Sequence, residues 1–112
     1  MSSPLKGIKI LDLTHMLAGP YGTMVLADLG AEIIKIEPPL KGEITRNLLK
    51  NDPDYSVDGV GAYHLTLGRN KKSLTLDLKS DPGKNIFYQL VKKADVVIDN
   101  FSSGVTKRLK ID

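Results

Sequence analysis

With 112 residues, no cysteine and no tryptophan, the chain has room for one modest core and cannot build a disulfide framework, a thiolate metal site or a cysteine nucleophile. Hydrophobic residues make up 41% and charged residues 26%, the balance of a globular α/β protein rather than of a disordered or fibrous one. The net charge of +3 suits an anionic ligand but does not point to nucleic acid, because the basic residues are scattered and two Phe and four Tyr give no stacking platform.

Two histidines make a metal site unexpected, so none is assigned. The opening MSSPLKG has no signal-peptide core, and no stretch approaches the roughly 20 apolar residues of a membrane helix, so a cytoplasmic protein without a membrane partner is expected.

In chain order, Ile8 to Leu13 predicts a buried strand that breaks at Thr14 and His15, and Ala18-Gly19-Pro20 opens a helix. Pro20 suits the first helical position. Tyr21 to Leu29 carries apolar side chains around much of its circumference and so expects cover on more than one side. Gly30 reads as its left-handed stop, and Ala31 to Glu37 as a second strand closed by Pro38-Pro39. Residues 38 to 60 form a long variable loop, functional or mobile, with a helical hint at Ile44 to Leu49.

Gly61 to Leu67 predicts two helical turns with Tyr63, Leu65 and Leu67 packing, and Arg69-Asn70-Lys71-Lys72 reads as a solvated basic turn. Ser73 to Leu78 alternates strictly, with leucines on one face. Ser80-Asp81-Pro82 starts a helix whose buried face is Ile86, Phe87, Leu90 and Val91. Ala94 to Asp99 reads as a strand buried on both faces, Asn100 to Gly104 as its exit loop, and Val105 to Lys110 as the start of another helix.

The order β-α-β, loop, short helix, β-α-β-α implies a Rossmann-like parallel sheet with right-handed crossovers, read here as the incomplete part of a larger domain. Ligands of such sheets bind beyond the strand C-termini. That places candidate chemistry at Thr14 to Pro20, Glu37-Pro38, Leu78-Lys79 and Asn100 to Gly104. Glu37 falls where an acidic ribose ligand would stand in a dinucleotide site, but Gly19-Pro20-Tyr21-Gly22 is not the G-x-G-x-x-G turn, and proline removes a needed N–H.

Five stretches in order carry a resemblance. LKGIKILDLT (5–14), AGP (18–20), LADLGAEIIKIE (26–37), NKKSLTLDLK (70–79) and ADVVIDNF (94–101) resemble the N-terminal part of the class III CoA-transferases, the family that includes formyl-CoA:oxalate CoA-transferase, carnitine CoA-transferase and α-methylacyl-CoA racemase. The resemblance implies that residues 1–112 are a CoA-binding Rossmann-like segment of a longer chain that interlocks with a second copy as a homodimer. The implied substrates are an acyl-CoA and a carboxylic acid, with coenzyme A as substrate and no covalently bound cofactor.

Carried over by position, CoA-contacting residues are Leu17, Ala18, Pro38, Leu76, Asp77, Leu78, Lys79, Asn100, Phe101, Ser102 and Arg108. Leu17 and Ala18 would contact the thioester. Leu76 and Leu78 would flank the adenine, and Lys79 and Arg108 would meet phosphate oxygens. Leu17 stands where some transferases have glutamine, and Pro38 where some have an adenine-stacking arginine. The family's nucleophilic aspartate has no counterpart among these residues, so no catalytic residue is assigned here. A racemase using an acid–base pair, or a non-catalytic nucleotide-binding module, are the alternatives. Asp12 and Asp28 read as structural or solvated acids, and His15 as a packed, hydrogen-bonding residue.

Overall fold

The computed structural model describes residues 2–112. Four strands form one parallel sheet: β1 (Lys9–Asp12), β2 (Glu32–Glu37), β5 (Lys71–Thr75) and β6 (Val96–Ile98), in the order β5-β2-β1-β6. A small antiparallel hairpin, β3 (Ser56–Val57) with β4 (Val60–Gly61), stands apart from it. The helices are α1 (Ala18–Asp28), α2 (Ala62–Leu67), α3 (Asp81–Val91) and α4 (Val105–Leu109). This is the expected α/β architecture, and the chain reverses direction across the sheet between β1 and β6.

Register explains how the two faces differ. Ile10 pairs with Ile33 and Asp12 with Lys35, while Ile33 pairs with Lys71 and Lys35 with Ser73, so all of these side chains share one face. Leu11, Leu13 and Ile36 lie on the other, where they cluster with Leu76 and with Phe87 of α3. On the first face Ile10 and Ile33 pack against Ala27 and Ala31 at the end of α1. Towards the strand C-termini that face becomes charged.

The helices end where the sequence provides ends. Gly30 (φ +102°) follows α1, with its N–H on Ala27 O (2.9 Å) and the Ala31 N–H on Leu26 O (3.1 Å), the paired bonds of a left-handed C-terminal stop. Ser80 caps α3 by accepting the Gly83 N–H at 3.1 Å.

Several expectations are corrected. Ala18-Gly19-Pro20 opens the first helix as expected, but Pro20 is not its first residue: the helix begins at Ala18, with Leu17 O accepting the Tyr21 N–H (2.8 Å), so Pro20 falls third in a first turn that needs no intrahelical donors. Cover for α1 is one-sided: Pro20, Thr23, Met24 and Ala27 are buried, while Tyr21, Val25 and Leu29 are exposed. The third sheet strand begins two residues and ends three residues earlier than the leucine alternation suggests. Its last rung is Leu76 N–H to Glu37 O (2.9 Å), after which Asp77 opens a turn by accepting the Lys79 N–H.

The last strand, expected to be buried on both faces, is a sheet edge, with Val96 and Val97 43% and 42% exposed. Ile86 points outward from α3 while Phe87 is buried, and in α2 it is His64 and Leu67, not Leu65, that face inward. The helical hint at 44–49 is a single 3₁₀ turn over Ile44–Arg46. The hairpin was missed although its signal was present: Asp58 (φ 51°) and Gly59 (φ 76°) form the two-residue turn with both φ positive that tight hairpins favour.

Candidate functional site

Beyond the strand C-termini lies an open cleft of about 210 Å³. Its walls are Leu13 and His15 after β1, Pro38 and Pro39 after β2, Leu76 to Lys79 after β5 and Phe101 after β6, with Leu109 of α4 alongside. Of the residues nominated from sequence, Pro38, Leu76, Asp77, Leu78, Lys79 and Phe101 converge on this one cleft. Leu76 is nearly buried and belongs to the core beneath, whereas Leu78 is half-buried and Lys79 exposed, so these two present themselves to a ligand.

Leu17, Ala18, Asn100, Ser102 and Arg108 are not in its walls. Leu17 and Ala18 form the exposed start of α1, beside the corner that carries His15. Asn100 turns to the backbone of His15, with its Oδ1 accepting the His15 N–H (2.9 Å) and its Nδ2 donating to His15 O (2.8 Å), and so ties the β1 exit loop to the β6 exit loop. Ser102 O accepts the Val105 N–H at 3.2 Å, and the exposed Arg108 sits one turn into α4.

The corner from Thr14 to Met16 is held by side chains. Asp12, fully buried, accepts from the Thr14 N–H (2.8 Å), from Thr14 Oγ1 (2.5 Å) and from Thr23 Oγ1 (2.6 Å). Lys35 Nζ donates to Thr14 O at 2.7 Å and lies 3.8 Å from Asp12 Oδ2, and Lys71 Nζ approaches the same oxygen at 3.3 Å. The basic turn read as solvated is therefore not so at Lys71, whose side chain is only 3% exposed. Arg69 and Lys72 do remain at the surface, paired with Asp28 and Glu32.

Burial pushes the Asp12 carboxyl pKa up, but the Lys35 charge and the threonine hydrogen bonds outweigh it and leave it below the usual range. For Lys71 burial dominates and lowers the ammonium pKa, with Asp12 opposing. Gly19 lets α1 approach closely, since a Cβ there would stand 2.4 Å from Thr14 Cβ.

Sequence reasoning missed the underside of this corner. Glu43, in the segment read as a variable loop, is 1% exposed; its Oε1 accepts the Met16 N–H at 2.8 Å and its Oε2 the Thr45 N–H at 3.0 Å, with Thr45 Oγ1 also bonded to it. Met16 adopts φ +68°, uncommon for a bulky residue, where that bond holds it. His64 Nδ1 lies 3.6 Å from Oε2 and 3.1 Å from Thr45 Oγ1. Burial raises the Glu43 pKa, but the facing imidazoles, Thr45 and the Met16 N–H more than reverse this and hold it far below the ordinary carboxylate range.

Glu37 is similarly engaged, by Arg46 (2.6 and 2.7 Å), Ser73 (2.6 Å) and the Glu43 N–H (2.8 Å). Burial pushes its pKa up, yet these bonds bring it down to about 2. An acid so occupied has no free edge for a ribose diol, which counts against a dinucleotide site. Periodicity cannot reveal such loop acids; the only local hint was Glu43-x-Thr45 ahead of a helical turn.

Among the described residues no helix is long and apolar enough to cross a membrane. The chain matches the model of CoA-transferase family III over residues 5–112. It is 44% identical over 109 residues to the formyl-CoA:oxalate CoA-transferase of Bradyrhizobium sp. (strain ORS 278), an alignment covering 97% of this chain and 25% of that protein. It is also 44% identical over 106 residues to the acetyl-CoA:oxalate CoA-transferase of Acetobacter aceti, covering 95% and 26%.

A solved CAIB/BAIF family protein from Brucella suis superposes with a TM-score of 0.88 at 37% identity, covering 100% of this chain and 29% of that one. The chain thus spans about a quarter of the length of the curated relatives it matches. With the family's motifs spread along the whole sequence and a parallel sheet that superposes on a solved relative, the chain belongs to CoA-transferase family III.

Proposed function

We propose that residues 1–112 are the CoA-binding segment of a cytoplasmic, homodimeric CoA-transferase that moves CoA from an acyl-CoA thioester to a carboxylic acid. The covalent work falls to an aspartate that is not among these residues, through an aspartyl intermediate. One observation supports the reading above the rest: Pro38, Leu76 to Lys79 and Phe101, nominated one by one from sequence, border a single cleft at the strand C-termini. Pro38, Leu78 and Phe101 offer apolar surfaces to a flat adenine, and Lys79 and Arg108 offer cations to phosphate oxygens. Ala18, small and at the start of α1, leaves room for backbone N–H groups near the thioester, with Leu17 beside it.

The test is turnover by the full-length protein over a panel of acyl-CoA donors and carboxylic acids that includes formyl-CoA, acetyl-CoA and oxalate, the compounds in the relatives' names. The reading predicts transfer, and a covalent CoA thioester on an aspartate in trapped enzyme by mass spectrometry. Exchange of the α-proton without any covalent adduct would point to a racemase instead. CoA binding with neither reaction would point to a non-catalytic module.

A further inference from the structure

His15 has one polar atom unaccounted for. Its Nδ1 is buried without a hydrogen-bond partner and lies 3.7 Å from Glu43 Oε1, yet the side chain as a whole keeps 26% exposure and lines the cleft. The Nδ1 edge of the ring therefore faces the carboxylate, and the exposed part of the side chain is what lines the cleft. Three contacts fix this attitude. Asn100 clamps the His15 backbone through both its N–H and its carbonyl. Phe101 packs a tilted ring against the imidazole at 5.7 Å between centroids. Glu43 is itself immobilised by Met16, Thr45 and the neighbouring His64.

A carboxylate facing Nδ1 favours the tautomer with its N–H there, which leaves Nε2 as the nitrogen available to a ligand. Separations a little beyond hydrogen-bond range are common before substrate is bound and shorten on binding.

Resting on the CoA-transferase reading, we propose that His15 is a catalytic residue whose Nε2 contacts the thioester sulfur of the bound acyl-CoA, and that Glu43 is the positioning residue that sets its tautomer and direction. In the step concerned, a carboxylate oxygen bonds to the thioester carbonyl carbon while the C–S bond breaks and its electron pair passes to sulfur. With an N–H on each edge, the imidazole would donate from Nε2 to that thiolate and from Nδ1 to Glu43. No net proton transfer is needed, because the thiolate is the nucleophile of the return step.

The experiment uses the full-length protein and the donor and acid pair it turns over best. His15→Gln is expected to lower kcat about a hundredfold, the scale of a lost transition-state donor, with KM for the donor and the calorimetric Kd of CoA within about twofold of wild type. In ¹⁵N NMR the neutral His15 imidazole is expected to carry its proton on Nδ1, and Glu43→Gln to shift the proton towards Nε2. Wild-type kcat in His15→Gln, or a wild-type neutral ring protonated on Nε2, overturns the proposal and leaves the CoA-transferase reading standing. Absence of transfer across the whole donor panel removes that reading and this proposal together.

Discussion

On the α3 side of the sheet, Leu11, Leu13, Ile36, Leu76 and Phe87 meet as hydrocarbon alone. On the α1 side, Ile10, Ile33, Ala27 and Ala31 give way, towards the strand ends, to Asp12, Lys35 and Glu37, and Lys71 reaches Asp12 from the start of β5. The apolar side does what any core does, and its cost of damage scales with the methyl groups removed. The charged side is different in kind. Burying ions is expensive, so each is retained only with its partners, and removing one leaves the others unpaired in a poor solvent. What those partners hold in common is the corner from Thr14 to Met16: Asp12 and Lys35 bind Thr14, and Glu43 binds Met16. The contrast teaches that damage to the apolar face is graded by the volume removed, whereas damage to the charged face strands buried ions and releases the corner beside the cleft.

The strongest way to break this contrast is Asp12→Ala, which would strand Lys35 and Lys71. A loss of about 3–5 kcal/mol in urea unfolding is expected, as for other buried pairs deprived of one partner. A loss below about 1 kcal/mol would mean that the lysines reach water and that the pairing is not a constraint.

Acid tests the same face. The Glu37 pKa is lowered from 4.5 to about 2 in the folded chain, so its contribution is fully present above pH 4.5 and is lost as pH falls through about 2. That contribution is on the order of 3 kcal/mol. Unfolding measured against pH should show this loss in the wild type, and Glu37→Gln should flatten it over that window; an unchanged slope in the variant would assign the acid sensitivity elsewhere.

On the apolar face, Ile36→Val removes one methylene beneath the cleft and should cost about 1 kcal/mol with no change in the pH profile. Smaller still is Val97→Thr on the exposed edge strand, expected within about 0.5 kcal/mol of wild type. A large loss there would show that β6 is covered in the protein as it exists.

The apolar face was legible in the sequence. Alternating leucines, a capped helix start at Ser80 and a glycine stop at Gly30 are local signals, and each has a counterpart in the fold. Strand-end positions were legible too, because topology fixes where loops converge: Pro38, Leu78, Lys79 and Phe101 lie in stretches picked out that way, while Leu76 and Asp77 came from the family resemblance, and all six border one cleft.

What could not be read was partnership at a distance. Lys71 looks like its solvated neighbours Arg69 and Lys72, and only the register that sets it diagonally opposite Asp12 turns it inward. Glu43 sits among prolines, lysines and asparagines with no period to mark it, and its burial depends on a loop folding back beneath another loop. His15 was readable as a corner residue but not as one with a carboxylate behind it. The edge position of Val96 and Val97 was hidden because an apolar run between acids looks the same at the rim of a sheet as at its centre.

The central claim, that the cleft at the strand ends is built for coenzyme A, is tested most directly by calorimetric titration of the full-length protein with CoA and, separately, with NAD. The account predicts saturable CoA binding that weakens in Lys79→Ala and Phe101→Ala, with NAD binding weaker than CoA. Tighter binding of NAD, or CoA binding indifferent to both substitutions, would contradict it.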